Sequence, residues 1–216
     1  MLFNLTVPTI ITRIITLLIA FTFHEFAHAA TATALGDYTP RDHGRLTLNP
    51  FAHLDIMGTL MLLFAGFGWA KPVPVNPYVV RRKTKAGMML VSLAGPTTNL
   101  LLGLLAALPL RFGWVPYRVT TSAFLPSLSD FLLNFLMINL VLFLFNLIPL
   151  APLDGEKVLT YFLPPRWADA FDRIRPYSAF ILLAIVIILP MIGFDLLEII
   201  IWRPMTQFAR FLIGWN

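Results

Sequence analysis

The chain of 216 residues contains no cysteine and few charged residues. The absence of cysteine excludes disulfide bonds and thiolate metal ligands, so any zinc must be held by His, Asp or Glu. Charged residues make up 12% of the sequence, whereas an average soluble domain has ~25%. Hydrophobic residues make up 58%, and the mean hydropathy is +0.78. This composition excludes an ordinary soluble domain and predicts an integral membrane protein.

Four apolar stretches are long enough to cross the ~30 Å hydrocarbon core of a bilayer. They cover residues 8–35, 86–110, 131–150 and 177–194. A further uncharged stretch, residues 56–70, is short and contains three glycines, which favours a re-entrant or shallow helix. The predicted fold class is therefore an all-α polytopic membrane protein with about four to five transmembrane helices, this short helix and small extended (β-like) loop segments.

The last 22 residues leave two topologies open. Residues 195–216 mix Asp195, Glu198, Arg203 and Arg210 with apolar side chains and contain a proline near the middle. This pattern is typical of an amphipathic helix that lies in the membrane interface and breaks near the proline. The alternative is a fifth crossing that begins earlier and includes part of this tail.

The basic residues indicate which loops face the cytoplasm, because cytoplasmic loops carry an excess of Lys and Arg. The loop between the second and third stretches holds only Arg111 and Arg118. This distribution of basic residues therefore places the loop and the N-terminus outside. It also explains the net charge of +5 without a nucleic-acid partner. Most other basic residues lie in three connections that would be cytoplasmic: Arg41, Arg45, Lys71, Arg81, Arg82, Lys83, Lys85, Lys157, Arg166, Arg173 and Arg175.

The sequence His24-Glu25-Phe26-Ala27-His28 lies inside the first apolar stretch. Residues i and i+4 share one face of a helix, so both imidazoles could bind one zinc ion with Glu25 beside it as a proton acceptor. The alternative is a helix with ordinary interfacial histidines. Ionisable residues are costly inside a membrane, which favours a functional site. His28 would lie about 10 Å below the cytoplasmic end of this helix, at 1.5 Å per residue.

A catalytic zinc usually has three protein ligands, so two histidines leave the site incomplete. The candidates for the third ligand are His43, His53 and the carboxylates. The third apolar stretch ends in Asn146-Leu-Ile-Pro-Leu-Ala-Pro-Leu-Asp154-Gly155, where the prolines end the helix at about the depth of the histidines. Asp154 is then either a helix N-cap or a metal ligand, and the nearby histidines favour the ligand. For His53 we favour a role in lining the site or in orienting the short helix.

Three motifs together resemble the signatures of site-2 proteases, the intramembrane zinc metallopeptidases. They are the His-Glu-x-x-His segment at 24–28, Ser-Leu-Ala-Gly-Pro-Thr-Thr-Asn at 92–99 and the segment at 146–155. Their order and their membrane setting also match, and the resemblance covers about residues 8–163. Segments 48–55 and 68–77 further resemble the compact bacterial members.

The resemblance implies one Zn²⁺ per chain, held by His24, His28 and Asp154. It implies that Glu25 is the general base and that Asn146 lies near the metal, where it polarises or positions the scissile carbonyl. Asn99 would line the active-site side of the second helix. A separate reading of the 92–99 segment is a packing motif, since Gly95 lets helices approach closely.

The same resemblance implies hydrolysis of transmembrane protein substrates within the lipid bilayer. It implies a multi-pass protein of a bacterial inner membrane with its active site towards the cytoplasm. Residues 1–163 would form the intramembrane metallopeptidase core, and residues 164–216 the C-terminal transmembrane and amphipathic helices.

Two other functions remain as alternatives. The first is a proteolytically inactive relative that keeps the metal and acts as a membrane chaperone or scaffold. Glu25 argues against it, because a structural metal site needs no base. The second is a metal or proton transporter, which would need polar residues through the whole membrane. The outer half of the second and third stretches offers only Asn134 as a clear polar group.

Overall fold

The computed structural model describes residues 6–55, 57–58 and 69–215. The predicted short helix at 56–70 falls almost entirely outside these residues. Among the described residues, β structure is limited to an antiparallel bridge between Leu54 and Ala70. The helices, in chain order, are α1 (Val7–Ala34), α2 (Thr39–Asp42), α3 (Pro77–Lys83), α4 (Gly87–Arg111), α5 (Leu128–Asn146), α6 (Asp154–Phe162), α7 (Pro165–Met191) and α8 (Arg203–Ile213).

Four of these helices, α1, α4, α5 and α7, are long and apolar enough to cross a membrane. The first three lie close to the predicted stretches, and α7 begins earlier than expected, at Pro165. A 3-10 turn at Arg175–Tyr177 and a π-helical stretch at Ala184–Ile188 interrupt the regular winding of α7. The all-α polytopic membrane fold is confirmed. The division of the chain at residue 163 stays a prediction.

The core lies where α4 and α5 cross and where α8 packs against both. Leu136 and Leu140 of α5 are completely buried. The backbones approach closely at Gly103 of α4, where an added Cβ would lie 3.5 Å from Leu136 Cδ1. The other buried members of this cluster are Ala106, Ala107, Phe135, Met205, Ala209 and Ile213.

The C-terminal helix packs against α4 and α5 of the bundle. A π-helical turn at Glu198–Trp202 leads directly into α8. At its start, Ile201 packs in one cluster with Leu153, next to Asp154. At its end, the Phe211 carbonyl accepts a hydrogen bond of 2.8 Å from Arg111, the last residue of α4. The segment 198–213 therefore runs from the level of Asp154 to the end of α4 at Arg111, and the choice between an interfacial helix and a fifth crossing stays a prediction.

Two buried charged residues organise the loops that follow α1. The Asp37 carboxylate accepts hydrogen bonds from the backbone N–H groups of Thr39, at 3.1 Å, and Asn76, at 2.6 Å. Arg45 is only 4% exposed, although its sequence position suggested a solvated cytoplasmic loop. Its guanidinium donates to three backbone carbonyls and so ties the loop after α2 to the segment before α3. These carbonyls belong to Ala52, Lys71 and Pro72.

Candidate metal centre

Helix α1 presents the His24 and His28 imidazoles on one face, and Asp154 meets them at the first turn of α6. The two Nε2 atoms lie 3.0 Å apart. The Asp154 Oδ2 atom lies 3.2 Å from Nε2 of His24 and 3.3 Å from Nε2 of His28. The side chains are 8%, 9% and 14% exposed, respectively. The fold thus brings together the three residues that the sequence predicted as ligands.

The donor set fits zinc. Tetrahedral zinc with Zn–N and Zn–O distances of about 2.0–2.2 Å needs ligand atoms about 3.3–3.5 Å apart. The separations of 3.0–3.3 Å are close to this value, and two imidazoles with one carboxylate are a set found at catalytic zinc. Burial alone would raise the pKa of the Asp154 carboxyl, but the imidazoles of His28 and His24 hold that pKa below its usual range. A carboxylate that binds a metal must be ionised, and the neighbouring imidazoles favour that form.

Helix α4 fixes the orientation and tautomer of both imidazoles. His24 Nδ1 lies 2.6 Å from Oδ1 of Asn99, and His28 Nδ1 lies 2.7 Å from the Val91 backbone oxygen. A carbonyl oxygen only accepts hydrogen bonds, so each Nδ1 carries a proton and donates it. Each Nε2 then keeps its lone pair for a metal, the arrangement usual for metal-bound histidines.

Gly95 allows α4 to pass directly against the histidines. A Cβ atom added at Gly95 would lie 2.5 Å from Nε2 of His28 and 2.6 Å from Nε2 of His24. No side chain fits within such distances, so this position requires glycine. Gly95 therefore has a more specific role than helix packing in general, because it leaves the space that the candidate ligand atoms occupy.

A tight reversal after α5 delivers Asp154 to this position. A Cβ atom added at Gly155 would lie 2.3 Å from the Leu147 oxygen and 2.5 Å from the Ile148 oxygen, so the turn requires glycine here too. The N-cap residue of α6 is Leu153, and Asp154 is the first helical residue. The alternative in which Asp154 caps α6 is therefore wrong, and its carboxylate points to the histidines instead.

Glu25 lies next to His24 and is 9% exposed. Within the described part of the chain, its carboxylate forms no hydrogen bond or ion pair, so it is available to accept a proton. Asn146 is the last residue of α5, and its side-chain nitrogen donates to the Leu142 oxygen at 3.0 Å. One amide hydrogen of Asn146 is thus bound within its own helix, and its catalytic role stays a prediction.

His53 is not part of the group formed by His24, His28 and Asp154. It is 1% exposed, and its Nε2 atom lies 2.8 Å from the Thr47 oxygen. The two roles predicted for His53, lining the site and orienting the short helix, stay predictions.

Two groups that orient the site were missed by sequence reasoning. The Val91 carbonyl holds His28 through the backbone, which leaves no residue signature. Asn139 of α5 contacts Asn99 and is completely buried. An amide within a membrane span was the available signal, because polar groups in a membrane are costly and tend to be functional.

Comparisons with known proteins find relatives that are named zinc metalloproteases. No protein-family model and no solved structure matches the chain. The chain is 40% identical to "Putative zinc metalloprotease YwhC" of Bacillus subtilis over 91% of its own length and 86% of that protein. It is 29% identical to "Putative zinc metalloprotease Rip2" of Mycolicibacterium smegmatis, over 86% of the chain and 70% of that protein. Rip2 of Mycobacterium tuberculosis is 31% identical, over 78% and 63% respectively.

The four apolar helices and these relatives together identify the chain as a membrane zinc metalloprotease. The chain belongs to the site-2 protease family. Its relatives are bacterial proteins, which fits a bacterial membrane.

Proposed function

We propose that the protein is an intramembrane zinc endopeptidase that hydrolyses peptide bonds of transmembrane-segment substrates near the cytoplasmic side of the membrane. The observation that carries this proposal is the meeting of two imidazoles and one carboxylate within 3.3 Å, beside an unpaired Glu25, in a bundle of apolar helices. An inactive scaffold would have no use for the carboxylate of Glu25 at this place.

The candidate ligands His24, His28 and Asp154 would hold one zinc ion per chain. When bound, zinc polarises the scissile carbonyl and lowers the pKa of a water molecule to ≈ 7. Glu25 accepts the proton of the attacking water and delivers it to the leaving amine nitrogen. Asn146 has a second amide hydrogen, which it donates to the carbonyl oxygen of the substrate as negative charge develops there.

The position of the site along α4 supports cleavage near the cytoplasmic side. Gly95 lies eight residues from the start of α4, which is about 12 Å, and sixteen residues from Arg111, which is about 24 Å. The near end of α4 follows α3, whose exposed basic residues are those expected of a cytoplasmic loop. These residues are Arg81, Arg82 and Lys83.

Comparative proteomics of membrane fragments tests the proposal in cells. Cells that carry the Glu25→Gln variant should lack fragments of transmembrane proteins that wild-type cells contain, and the uncut proteins should accumulate. Glu198→Gln is the matched control, because Glu198 is half exposed and pairs with Arg203 at 3.6 Å. The control cells should give the wild-type fragments. An identical set of fragments in Glu25→Gln and wild-type cells would contradict the proposal.

A further inference from the structure

We propose that Asn139 is a positioning residue for the metal centre, acting on His24 through the amide of Asn99. This inference rests on the proposed metal site. Asn139 lies in the middle of α5, on a different helix from every candidate ligand. Its Oδ1 atom accepts a hydrogen bond of 3.1 Å from Nδ2 of Asn99, and Oδ1 of Asn99 lies 2.6 Å from Nδ1 of His24. Three helices are thus joined by two consecutive side-chain hydrogen bonds.

The backbone determines the direction of every bond in this chain of amides. Asn139 Nδ2 faces the Phe135 oxygen at 2.9 Å, and Asn99 Nδ2 faces the Ala20 oxygen at 3.3 Å. Backbone oxygens only accept hydrogen bonds, so the side-chain atom that faces each of them must be the nitrogen. Oδ1 then lies on the opposite side of each amide. Oδ1 of Asn99 therefore points to His24 and selects the tautomer with the proton on Nδ1.

Asn139 supplies the shorter of the two hydrogen bonds that the side-chain nitrogen of Asn99 makes. The contact with Asn139 is 3.1 Å, whereas the contact with Ala20 is 3.3 Å. Both asparagines are 0% exposed, so water does not replace a lost partner. Without Asn139, one N–H of Asn99 is left unpaired in an apolar setting, and only the longer bond to Ala20 holds its side-chain nitrogen.

A bond between α4 and α5 could also serve only to hold the two helices together. The two roles differ in what they change. Helix attachment alone affects the stability of the metal-free protein and not its zinc affinity. A positioning role affects zinc affinity, since partners of metal-bound histidines typically contribute about 10–100-fold to that affinity.

The test measures the zinc dissociation constant of the full-length protein in detergent by competition with a chelator, together with thermal unfolding of the metal-free protein. Asn139→Leu keeps the approximate shape and removes both polar atoms. We expect its zinc dissociation constant to rise about 10-fold, the lower limit for such partners, because Asn139 acts one residue further out. If this variant does not fold, Asn139→Ser carries the same expectation, since its hydroxyl is too short to reach Asn99.

Two variants serve as controls. Asn139→Asp should rescue zinc affinity, because a neutral carboxylic acid offers the same one donor and one acceptor that Asn139 uses. Asn134→Leu removes an amide from the same helix whose hydrogen bond, among the described residues, is to the Asp130 oxygen at 2.8 Å. Its zinc affinity should stay within about twofold of the wild type.

The outcomes separate this inference from the proposed function. His24→Ala is measured in parallel, and wild-type zinc affinity in that variant would overturn the proposed site itself. Loss of affinity in His24→Ala, with wild-type affinity in Asn139→Leu, would overturn only the positioning role. An equal loss of affinity in Asn134→Leu and Asn139→Leu would show general destabilisation and overturn it as well.

Discussion

Replacing Gly95 by alanine should remove zinc without unfolding the protein. The added Cβ atom would lie 2.5 Å from Nε2 of His28 and 2.6 Å from Nε2 of His24. Carbon and nitrogen atoms at rest stay about 3.5 Å apart. Either the imidazoles or α4 must therefore move by about 1 Å to accommodate one methyl group.

A displacement of this size is far outside what a zinc site accepts, because ligand distances vary by only about 0.2 Å. We expect zinc affinity to fall by at least about 100-fold, which corresponds to about 2.7 kcal/mol. Helix propensity works in the other direction, since alanine is favoured over glycine in a helix by roughly 1 kcal/mol. The metal-free variant should for this reason keep its helices while losing its metal.

The assay is zinc content and chelator competition on purified protein, with circular dichroism to verify the helices. Gly103→Ala is the matched control on the same helix, because its Cβ would meet Leu136 Cδ1 at an ordinary 3.5 Å. The control should bind zinc as the wild type does and gain the same helix propensity. Zinc affinity within twofold of the wild type in Gly95→Ala would refute the close approach of α4 to the histidines.

Two further predictions concern the loops and the topology. Arg45→Leu leaves three backbone carbonyls without their donor and should lower the free energy of unfolding by about 3 kcal/mol. Denaturant unfolding measures this change. The control is Arg41→Leu, at an exposed position, and its free energy of unfolding should stay within about 0.5 kcal/mol of the wild type. A cysteine at position 82 should be labelled from the cytoplasmic side and one at position 118 from outside. The chain has no native cysteine to interfere, and cytoplasmic labelling at 118 would reverse the topology.

The sequence predicted the candidate ligands because their types and spacing carry the chemistry. The i and i+4 spacing of His24 and His28 requires only a helix, and the prolines before Asp154 require the helix to end there. The membrane spans followed from the position and length of the apolar stretches. The structure shows in addition that Asp154 is the residue after the N-cap of α6. The spacing of residues in the sequence does not resolve a difference of one position.

Other features depend on contacts between distant segments and have no local signature. The Val91 carbonyl acts through the backbone, and Asn139 reaches His24 only through Asn99. Arg45 resembled any cytoplasmic arginine until the loops around it were in place. The last helix was ambiguous because its charged residues resemble those of an interfacial helix, whereas its buried stripe has a partner only once α4 and α5 have packed.

The most direct test of the central claim is zinc content and cleavage of a transmembrane substrate, measured on the same purified sample of wild type, Glu25→Gln and Asp154→Ala. The account predicts one zinc per chain and cleavage for the wild type, one zinc and no cleavage for Glu25→Gln, and neither for Asp154→Ala. Full cleavage by Glu25→Gln, or a full complement of zinc in Asp154→Ala, would contradict it.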